Sequence, residues 1–448
     1  MKILDWLRPG IKVKRFITLA VMGILFITFA LAEILVNFRE YEFKYTLFYL
    51  FIIIIGAFII YIAATKLMKS MIVLINKGYL NVHINSRRLE NLIYEKRLLV
   101  KGPKIVVIGG GTGLSTMLRG LKQYTSNITA IVTVADDGGG SGDLREDLGI
   151  LPPGDIRNCI LALSDTEPLM EELLQYRFPD GRLKNQSFGN LFLAAMDGIS
   201  TNFEEAVKNM SEVLAVTGKV IPVTLDNMKL KATLKDGTVV RGESNIPVEA
   251  SKRKSPIDKL EIDPKDAKAL DEALEAIMNA DAIILGPGSL YTSVLPNLLV
   301  EEVKEALNKT PALITYVSNV MTQPGETDGF KVSDHLEVIN NHIGTNIIDY
   351  VIVNDEEISE DLKKKYLDEN SIPVEIDEDK IDELDVEVVK ANLLAINKNG
   401  FVRHNSDVLA SVIIEIIMDK KLFYDKKKII EYFYLSERLK ENKNKKEQ

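Results

Sequence analysis

Two long apolar runs close to the N-terminus restrict what the first part of this chain can become. Phe16–Val36 contains one charged residue, Glu33, and Tyr45–Ala64 contains none. An apolar helix of about 20 residues spans the hydrocarbon core of a membrane. A cleaved signal peptide would have a shorter apolar core followed by small residues, and a pair of buried core helices is the remaining alternative. Because the two runs stand back to back, we predict a transmembrane helical hairpin over residues 1–65.

The charges that flank the two runs predict how the hairpin is oriented. Basic residues lie before the first run and after the second, at Lys2, Arg8, Lys12, Lys14, Arg15, Lys66, Lys69 and Lys77. The short segment between the runs has two basic and two acidic residues. Basic residues beside membrane spans are retained on the cytoplasmic side. We therefore expect a multi-pass protein of the cell membrane, with two spans and a short external loop. Both termini and the main domain are expected in the cytoplasm.

A basic segment, residues 66–102, follows the hairpin and has helical sequence. Its Lys and Arg residues suit contact with the anionic inner leaflet of a membrane. A solvated linker explains the same composition equally well. We predict a basic helical connector here and leave open whether it lies on the membrane.

From Lys104 onwards, strand-like sequence alternates with helical sequence. The strand-like runs are short, apolar and rich in β-branched residues, as buried parallel strands are: Lys104–Ile108, Ile128–Val134, Asp281–Leu285, Pro311–Val317 and Tyr350–Val353. Segments between them predict helices, among them Leu114–Tyr124, Ala267–Asn279 and Ser406–Met418. This alternation predicts an α/β fold, with a doubly wound and mostly parallel sheet over residues 103–420. Ligands of such sheets bind beyond the carboxyl ends of the strands.

One part of this region has a different pattern. Val220–Glu243 alternates apolar and polar residues around Asp236-Gly237, which is a strong signal for a β-hairpin. We therefore predict a small antiparallel insertion at about residues 220–245. The last segment, residues 421–448, is rich in charged residues and is predicted to be a C-terminal tail.

Composition argues against some classes of function. The 448 residues carry a formal net charge of −9, whereas a nucleic-acid-binding domain has a basic footprint. The chain has one cysteine and four histidines, and their spacing is not that of zinc ligands. The sequence therefore predicts no nucleic-acid partner and no structural zinc site.

The first glycine-rich motif follows the first predicted strand directly. Gly109-Gly110-Gly111-Thr112-Gly113 opens a predicted helix, where glycine lets backbone N–H groups approach a phosphate closely. The motif is not a P-loop, which needs Gly-Lys-Ser/Thr. It is also not a complete dinucleotide fingerprint, because Thr116 stands where the third glycine would fall. A tight structural turn is the alternative, but the position between strand and helix favours phosphate or nucleotide contact.

The second motif, Asp136-Asp137-Gly138-Gly139-Gly140-Ser141-Gly142, follows the second predicted strand. Adjacent carboxylates at a strand end can bind ribose hydroxyls. They can instead hold Mg²⁺ together with the phosphates of a ligand, and a flexible surface loop is a third interpretation. Ligand contact and metal contact are both left open for the two aspartates.

Two further clusters offer polar side chains to a site. Asp155 and Arg157 belong to the cluster Pro153-Gly154-Asp155-Ile156-Arg157, and Asn190 belongs to Gly189-Asn190-Leu191. Asn190 is able to hydrogen-bond a base or a sugar. Helix capping is the simpler explanation for Asp155 and an alternative for Asn190.

Three later segments follow strands or precede a helix. Gly286–Ser293 repeats the arrangement of strand, glycine loop and helix that forms an anion site. Ser318–Thr327 follows another predicted strand, and Arg403-His404 precedes the last predicted helix. A lone histidine is more often structural than catalytic. The joint position of these motifs at successive strand ends predicts one site at one edge of the sheet.

Taken together, these motifs resemble the gluconeogenesis factor family (the YvcK type), which is related to the 2-phospho-L-lactate transferases (CofD-like) of deazaflavin coenzyme synthesis. The resemblance covers about residues 103–418 and rests on the two glycine loops, the paired aspartates, Pro153–Arg157 and Gly189–Leu191. The transmembrane hairpin departs from the commoner soluble members of that family.

The resemblance implies a Rossmann-like domain that binds UDP-sugars, notably UDP-N-acetylglucosamine, and that supports cell shape and envelope synthesis on gluconeogenic carbon sources. It implies ligand contacts at Gly110, Gly111, Thr112, Gly113, Asp136, Asp137, Ser141, Asp155, Arg157, Asn190, Gly288 and Ser289. Asp136 and Asp137 are also the candidate ligands of Mg²⁺, the one cofactor that is left open.

Three functions are compared on these residues. The leading hypothesis is a UDP-sugar-binding regulator of carbon partitioning into cell-wall precursors. The second is an enzyme of the 2-phospho-L-lactate transferase type, which transfers a phosphoryl-linked group from a nucleotide-activated donor. The third, an NAD-dependent oxidoreductase, is disfavoured by the incomplete glycine fingerprint. A protein partner in cell-wall precursor synthesis and a homo-oligomer are left open.

Overall fold

The computed structural model describes residues 13–36, 43–78, 99–165, 168–397, 400–423 and 429–446. The chain divides into an N-terminal unit, Met1–Lys96, and a larger unit, Arg97–Gln448. Most of the predicted external loop and residues 79–98 of the predicted connector lie outside the described residues.

The N-terminal unit consists of two apolar helices, Val13–Val36 and Phe43–Gly78. Each contains a window that is long and apolar enough to cross a membrane, Thr18–Val36 with 19 residues and Leu47–Lys66 with 20 residues. Most of the large apolar side chains in these windows are exposed in the structure. The two predicted apolar helices are therefore present, on the criteria of length and composition.

The two N-terminal helices touch at a pair of glycines. A Cβ built on Gly23 would lie 2.8 Å from the carbonyl oxygen of Gly56, and a Cβ on Gly56 would lie 2.8 Å from the carbonyl oxygen of Gly23. The backbones can approach so closely only because neither residue has a side chain. Ala30 and Ala63 are also buried in this unit.

A seven-stranded parallel sheet forms the centre of the larger unit. In spatial order its strands are β10 (Glu387–Ala391), β9 (Tyr350–Asn354), β8 (Leu313–Val317), β7 (Ala282–Leu285), β1 (Ile105–Gly109), β2 (Ile128–Val132) and β3 (Lys219–Pro222). All neighbouring strands pair in parallel. Every residue of β1 and β7 is buried, as in a sheet that is covered on both faces. The predicted Rossmann-like α/β fold is confirmed.

The strand order places a topological switch point beside β1. The chain runs from β1 through β2 to β3, returns to the other side of β1, and continues through β7, β8 and β9 to β10. Ligands of doubly wound sheets bind in the crevice at such a point. Here the crevice lies between β1 and β7, and both strands lead into glycine loops.

Helices connect the strands and pack around the sheet. They are Gly111–Leu121, Gly139–Leu148, Gly154–Leu163, Pro168–Gln175, Phe188–Ile199, Phe203–Val213, Asn245–Arg253, Asp271–Met278, Leu295–Leu298, Glu301–Lys309, Val332–Ile343, Glu360–Leu367, Glu378–Asp382, Ser406–Ile417 and Ile429–Lys446. Short 3-10 or π-helical turns occur at Gly181–Leu183, Leu290–Val294 and Met418–Leu422. The first helix after β1 packs against Ser406–Ile417 and Gly154–Leu163.

The antiparallel insertion is present, but its bounds differ from the prediction. β4 (Lys229–Leu234), β5 (Val239–Arg241) and β6 (Ile257–Asp263) form a three-stranded antiparallel sheet. Lys219–Pro222 is instead the edge strand of the main sheet, where it pairs in parallel with β2. The alternating pattern of the sequence identifies strands, whereas the pairing partner of a strand depends on residues far away in the chain.

The C-terminal part of the chain adds a small sheet and a helix. β11 (Leu394–Ile396) and β12 (Val402–His404) form a two-stranded antiparallel sheet. In the helix Ile429–Lys446, Leu435 is buried in the main core, and Asn442 Nδ2 donates a hydrogen bond of 2.9 Å to Tyr124 Oη. Part of the segment predicted as a charged tail is therefore a helix packed on the domain.

Candidate functional site

A cavity of about 510 Å³ opens at the switch point of the sheet. Eight of the predicted site residues line it: Gly110, Gly111, Thr112, Gly113, Asp136, Asp155, Gly288 and Ser289. The other four, Asp137, Ser141, Arg157 and Asn190, lie outside its lining. The predicted residues thus divide into a group that faces the cavity and a group that packs behind it.

The first glycine loop forms one side of the cavity, and its glycines allow a close approach of the backbone to neighbouring residues. Gly111 has a φ of +69°, a conformation that L-residues with a Cβ rarely adopt. A Cβ on Gly110 would lie 2.5 Å from Asp155 Oδ2, and a Cβ on Gly113 would lie 2.5 Å from the carbonyl oxygen of Pro287. The loop therefore presents the N-terminus of the helix Gly111–Leu121 to the cavity, where free N–H groups favour an anion.

The second glycine loop, after β7, lies directly against the first. A Cβ on Gly288 would be 3.3 Å from the carbonyl oxygen of Gly110. The hydroxyl of Ser289 accepts a hydrogen bond of 2.8 Å from Gln323 Nε2, and Gln323 Oε1 accepts one of 3.2 Å from Asn319 Nδ2. A row of polar side chains thus continues from the glycine loops along the cavity wall.

Asp155 connects the first glycine loop to the acidic side of the cavity. Its carboxyl group accepts a hydrogen bond from the backbone N–H of Gly111. Burial, followed by the nearby charge of Asp136, raises the pKa of Asp155 to about 7. A carboxyl group in this place changes its charge near neutral pH, beside the position where a phosphate would bind.

The adjacent aspartates Asp136 and Asp137 have different roles. Asp136 lines the cavity, and its Oδ1 accepts a hydrogen bond of 2.9 Å from the backbone N–H of Gly138. Both carboxylate oxygens of Asp137 accept hydrogen bonds of 2.9 Å, from the backbone N–H groups of Glu243 and Ser244 in the insertion. Asp136 is therefore part of the cavity lining, whereas Asp137 binds the backbone of the insertion.

This division bears on the predicted magnesium site. Mg²⁺ prefers carboxylate oxygens with near-octahedral geometry, but both oxygens of Asp137 already accept backbone hydrogen bonds. Among the described residues, no group of three or more His, Cys, Asp or Glu side chains is arranged to hold a metal ion. A carboxylate oxygen that accepts one hydrogen bond keeps a second lone pair, so Mg²⁺ contact at Asp136 and Asp137 stays a prediction.

Arg157 and Asn190 form a buried pair behind the glycine loop. Arg157 Nε donates a hydrogen bond of 3.1 Å to Asn190 Oδ1, and both residues are buried. Burial lowers the pKa of Arg157 to about 10. The backbone N–H of Asn190 donates to Ser187 Oγ at 3.2 Å, so the helix is capped by Ser187 and not by Asn190. Ser141 is likewise buried, and its Oγ would lie 2.3 Å from a Cβ on Gly154.

Glu243 lines the cavity and was not predicted from the sequence. It follows β5 in the antiparallel insertion. Burial raises its pKa to about 8, and the carboxylates of Asp136, Glu326, Asp137 and Asp155 contribute in that order. No local signal marks this glutamate, because its position depends on how the insertion folds over the sheet.

A further part of the cavity wall comes from the C-terminal part of the domain. Phe401, Arg403 and His404 line the cavity there, and the cations of Lys365 and Arg403 lie 4.6 and 5.7 Å from the centre of the Phe401 ring. His404 Nε2 lies 3.1 Å from the carbonyl oxygen of Ser318. Burial lowers the pKa of His404 to about 4, so its imidazole is neutral at neutral pH.

The fold and the site define a class of protein: a Rossmann-like domain with two glycine loops that face one cavity at the switch point. Comparison with known proteins agrees. The family of the 2-phospho-L-lactate transferase CofD matches residues 105–394. A Clostridium acetobutylicum protein is 68% identical over 443 residues, which covers 99% of this chain and 98% of that protein. The alignment therefore includes the apolar N-terminal helices.

Two Bacillus comparisons cover the larger unit. The gluconeogenesis factor of Bacillus subtilis (strain 168) is 48% identical over 318 residues, which covers 71% of this chain and 99% of that protein. A crystal structure of a Bacillus halodurans protein is 48% identical, with a TM-score of 0.67, and covers 71% of this chain and 99% of that one. The chain belongs to the gluconeogenesis factor family, within the CofD group.

Proposed function

We propose that this protein binds a UDP-sugar, first of all UDP-N-acetylglucosamine, and regulates the partitioning of carbon into cell-wall precursors and thereby cell shape. The observation that carries the proposal is the pair of glycine loops, Gly110–Gly113 and Pro287–Ser289, which line one cavity from neighbouring strands. Backbone N–H groups of two adjacent loops suit two adjacent phosphates. The relatives named gluconeogenesis factor support the regulatory part of the proposal.

The remainder of the cavity supports a ligand larger than a phosphate. Its volume of about 510 Å³ falls in the range of sites that enclose nucleotide-sized molecules. Beyond the glycine loops the wall includes the amides of Asn319 and Gln323 and the ring of Phe401. Amides hydrogen-bond hydroxyls and the polar edge of a base, and an aromatic ring stacks on a base.

We also propose that the protein acts at the cytoplasmic face of the cell membrane. The length and composition of Thr18–Val36 and Leu47–Lys66 support two spans. The basic residues on either side of the pair support cytoplasmic ends. Such an anchor would hold the ligand-binding domain beside a membrane-bound protein partner in cell-wall precursor synthesis.

Calorimetric titration of the full-length protein in detergent tests the ligand. UDP-N-acetylglucosamine, UDP-glucose, NAD and a deazaflavin are titrated separately, with UMP as a control that lacks the second phosphate. We expect binding of the UDP-sugars and weak or no binding of NAD and UMP. Tighter binding of NAD or of the deazaflavin than of every UDP-sugar would refute the proposal.

A transferase is the second candidate, because the matching family is named for 2-phospho-L-lactate transferase. A second cavity of about 320 Å³ shares Asn319 and Val320 with the first, and a neighbouring space of this kind suits an acceptor. Transfer of a phosphoryl-linked group is commonly assisted by a metal ion. Turnover of a nucleotide-activated donor that requires Mg²⁺ and stops in EDTA would favour the transferase over the regulator.

A further inference from the structure

The antiparallel insertion, β4 to β6 with the helix Asn245–Arg253, bridges two loops at the mouth of the cavity. One loop follows β2 and contains Asp137, and the other follows β8 and contains Gly325. The insertion is not part of the alternating strands and helices that form the main sheet. Its only lining residue of the cavity among the described residues is Glu243.

The first contact fixes the backbone on both sides of Glu243. The carboxylate of Asp137 accepts hydrogen bonds of 2.9 Å from the backbone N–H groups of Glu243 and Ser244. Gly242 has a φ of +94°, and a Cβ there would lie 2.7 Å from Asp137 Oδ2. Only glycine fits this conformation without strain, so the turn that carries Glu243 is held closely against Asp137.

The second contact joins the insertion to the loop after β8. Gly325 has a φ of +79°, and a Cβ there would lie 2.0 Å from the carbonyl oxygen of Pro247 in the insertion. The next residue, Glu326, accepts hydrogen bonds of 3.3 Å from the backbone N–H of Tyr291 and from Thr292 Oγ1. The insertion therefore packs against the loop that contains Gly325. Through Glu326, the same loop binds the turn at Tyr291 and Thr292.

The carboxyl group of Glu243 is held in the cavity without a protein partner. Among the described residues, no hydrogen bond or ion pair involves its side-chain oxygens, although its backbone N–H donates to Asp137. The charged groups around it are carboxylates, those of Asp136, Asp137, Asp155 and Glu326. Such a carboxyl group repels phosphate only when it is ionised, and it can accept hydrogen bonds from hydroxyls or donate one when protonated.

We propose that Glu243 is a specificity-determining residue that hydrogen-bonds a hydroxyl of the sugar attached to the diphosphate, the group that UDP lacks. Asp137 is the residue that positions Glu243. The inference rests on the proposed function, because it takes the ligand to have a diphosphate and a sugar. With the diphosphate at the glycine loops, Glu243 is left for an uncharged part of the ligand. A site built to hydrogen-bond a hydroxyl discriminates against an analogue that lacks it.

Titration of full-length variants with UDP-N-acetylglucosamine and with UDP tests this assignment. Glu243→Ala should weaken binding of the UDP-sugar by roughly ten- to hundredfold and leave binding of UDP nearly unchanged. Glu243→Gln keeps the shape of the side chain and should show the same pattern with a smaller loss. If Glu243→Ala does not fold, Glu243→Gln still allows the affinities for UDP-N-acetylglucosamine and UDP to be compared. Glu249→Gln, on the same insertion and outside the cavity lining, is the matched control.

Asp137→Asn tests the positioning role, since it acts on the sugar only through Glu243. It should weaken binding of UDP-N-acetylglucosamine and spare UDP. In the Glu243→Ala background it should add little further loss, because coupled residues give non-additive effects. Fully additive losses would mean that Asp137 acts independently of Glu243 and would overturn its assigned role.

The outcomes separate this inference from the proposed function. A folded Glu243→Ala variant with unchanged affinity for the UDP-sugar, or with equal losses for UDP and the UDP-sugar, would overturn the inference alone. Wild-type protein that binds neither UDP nor any UDP-sugar would refute the proposed function and the inference together.

Discussion

The backbone N–H of Glu243 donates a hydrogen bond of 2.9 Å to the carboxylate of Asp137, a residue 106 positions earlier in the chain. This bond gives two adjacent aspartates different roles. Asp136 faces the cavity, while Asp137 holds the turn from which Glu243 enters it. From the sequence, Asp136 and Asp137 suggested a metal site or a ribose contact. In the structure, Asp137 instead holds the backbone beside a third carboxyl group, that of Glu243.

The glycine loop is tested by Gly111→Val with Gly149→Val as its control. Both glycines have a φ of +69°, so each substitution should cost about 1–3 kcal/mol of backbone strain. Only Gly111 lines the cavity, and Gly149 has open space around it. We expect a similar loss of stability in both variants, measured by urea unfolding, and a loss of UDP-sugar binding in Gly111→Val alone. Equal affinity in the two folded variants would locate the ligand elsewhere.

The metal prediction is tested at Asp136. If its carboxylate binds hydroxyls, Asp136→Asn should keep one acceptor and lose roughly ten- to hundredfold in affinity for UDP-N-acetylglucosamine. Binding to wild type should then persist in EDTA. Calorimetry with and without the chelator measures both effects. Complete loss of binding in EDTA would show that Mg²⁺ is required and would favour the transferase.

The free energy of unfolding should depend on pH partly through the carboxyl group of Glu243. Burial, with the carboxylates of Asp136, Glu326, Asp137 and Asp155, raises its pKa in the folded protein to about 8, above the ordinary value of 4.5. The folded state therefore binds more protons than the unfolded state between these values, and the contribution to stability falls as pH rises through this window.

Urea unfolding of wild type and Glu243→Gln at pH 5 and pH 8 checks this expectation. The glutamine does not titrate, so the decrease in unfolding free energy between the two pH values should be smaller in the variant. Glu249→Gln should behave as wild type. An identical pH dependence in wild type and Glu243→Gln would contradict the raised pKa.

Asn190 should matter for stability more than for ligand choice. Asn190→Ala removes the acceptor of the buried Arg157 Nε at 3.1 Å, and an unsatisfied buried donor costs about 1–3 kcal/mol, or more when it is charged. We expect a lower unfolding free energy, with the ratio of UDP-sugar to UDP affinity unchanged. If a stable variant shows a changed ratio of UDP-sugar to UDP affinity, Asn190 contacts the ligand, as the sequence predicts.

The orientation of the hairpin is tested by cysteine labelling in whole cells. The chain has one native cysteine, Cys159, and it is buried, so the background reaction should be low. A cysteine in the segment 37–44 should react with an impermeant thiol reagent, and one at Lys66 should not. Labelling at Lys66 without labelling in the loop would reverse the proposed topology.

The main elements of this fold are readable from local sequence. The run from Ile105 to Ile108 is apolar and β-branched and is followed by glycines, so it predicts a buried strand that leads through a glycine turn into a helix, and the structure has both. The same holds for Ala282–Leu285 and the loop after it. These features depend on neighbouring residues, because strand propensity and the conformational freedom of glycine act over a few positions.

Tertiary structure alone decided what the polar side chains contact. The sequence places Asp136 and Asp137 side by side, but successive side chains leave the chain in different directions, and only the folded insertion supplies the partners of Asp137. Arg157 meets Asn190, and Glu243 reaches the cavity, through packing of segments that are distant in sequence. Residue type and spacing determined the strands, the glycine loops and the edge of the sheet where the site lies. Long-range packing determined which carboxyl and amide groups face the cavity, because hydrogen-bond partners depend on distances in space and not along the chain.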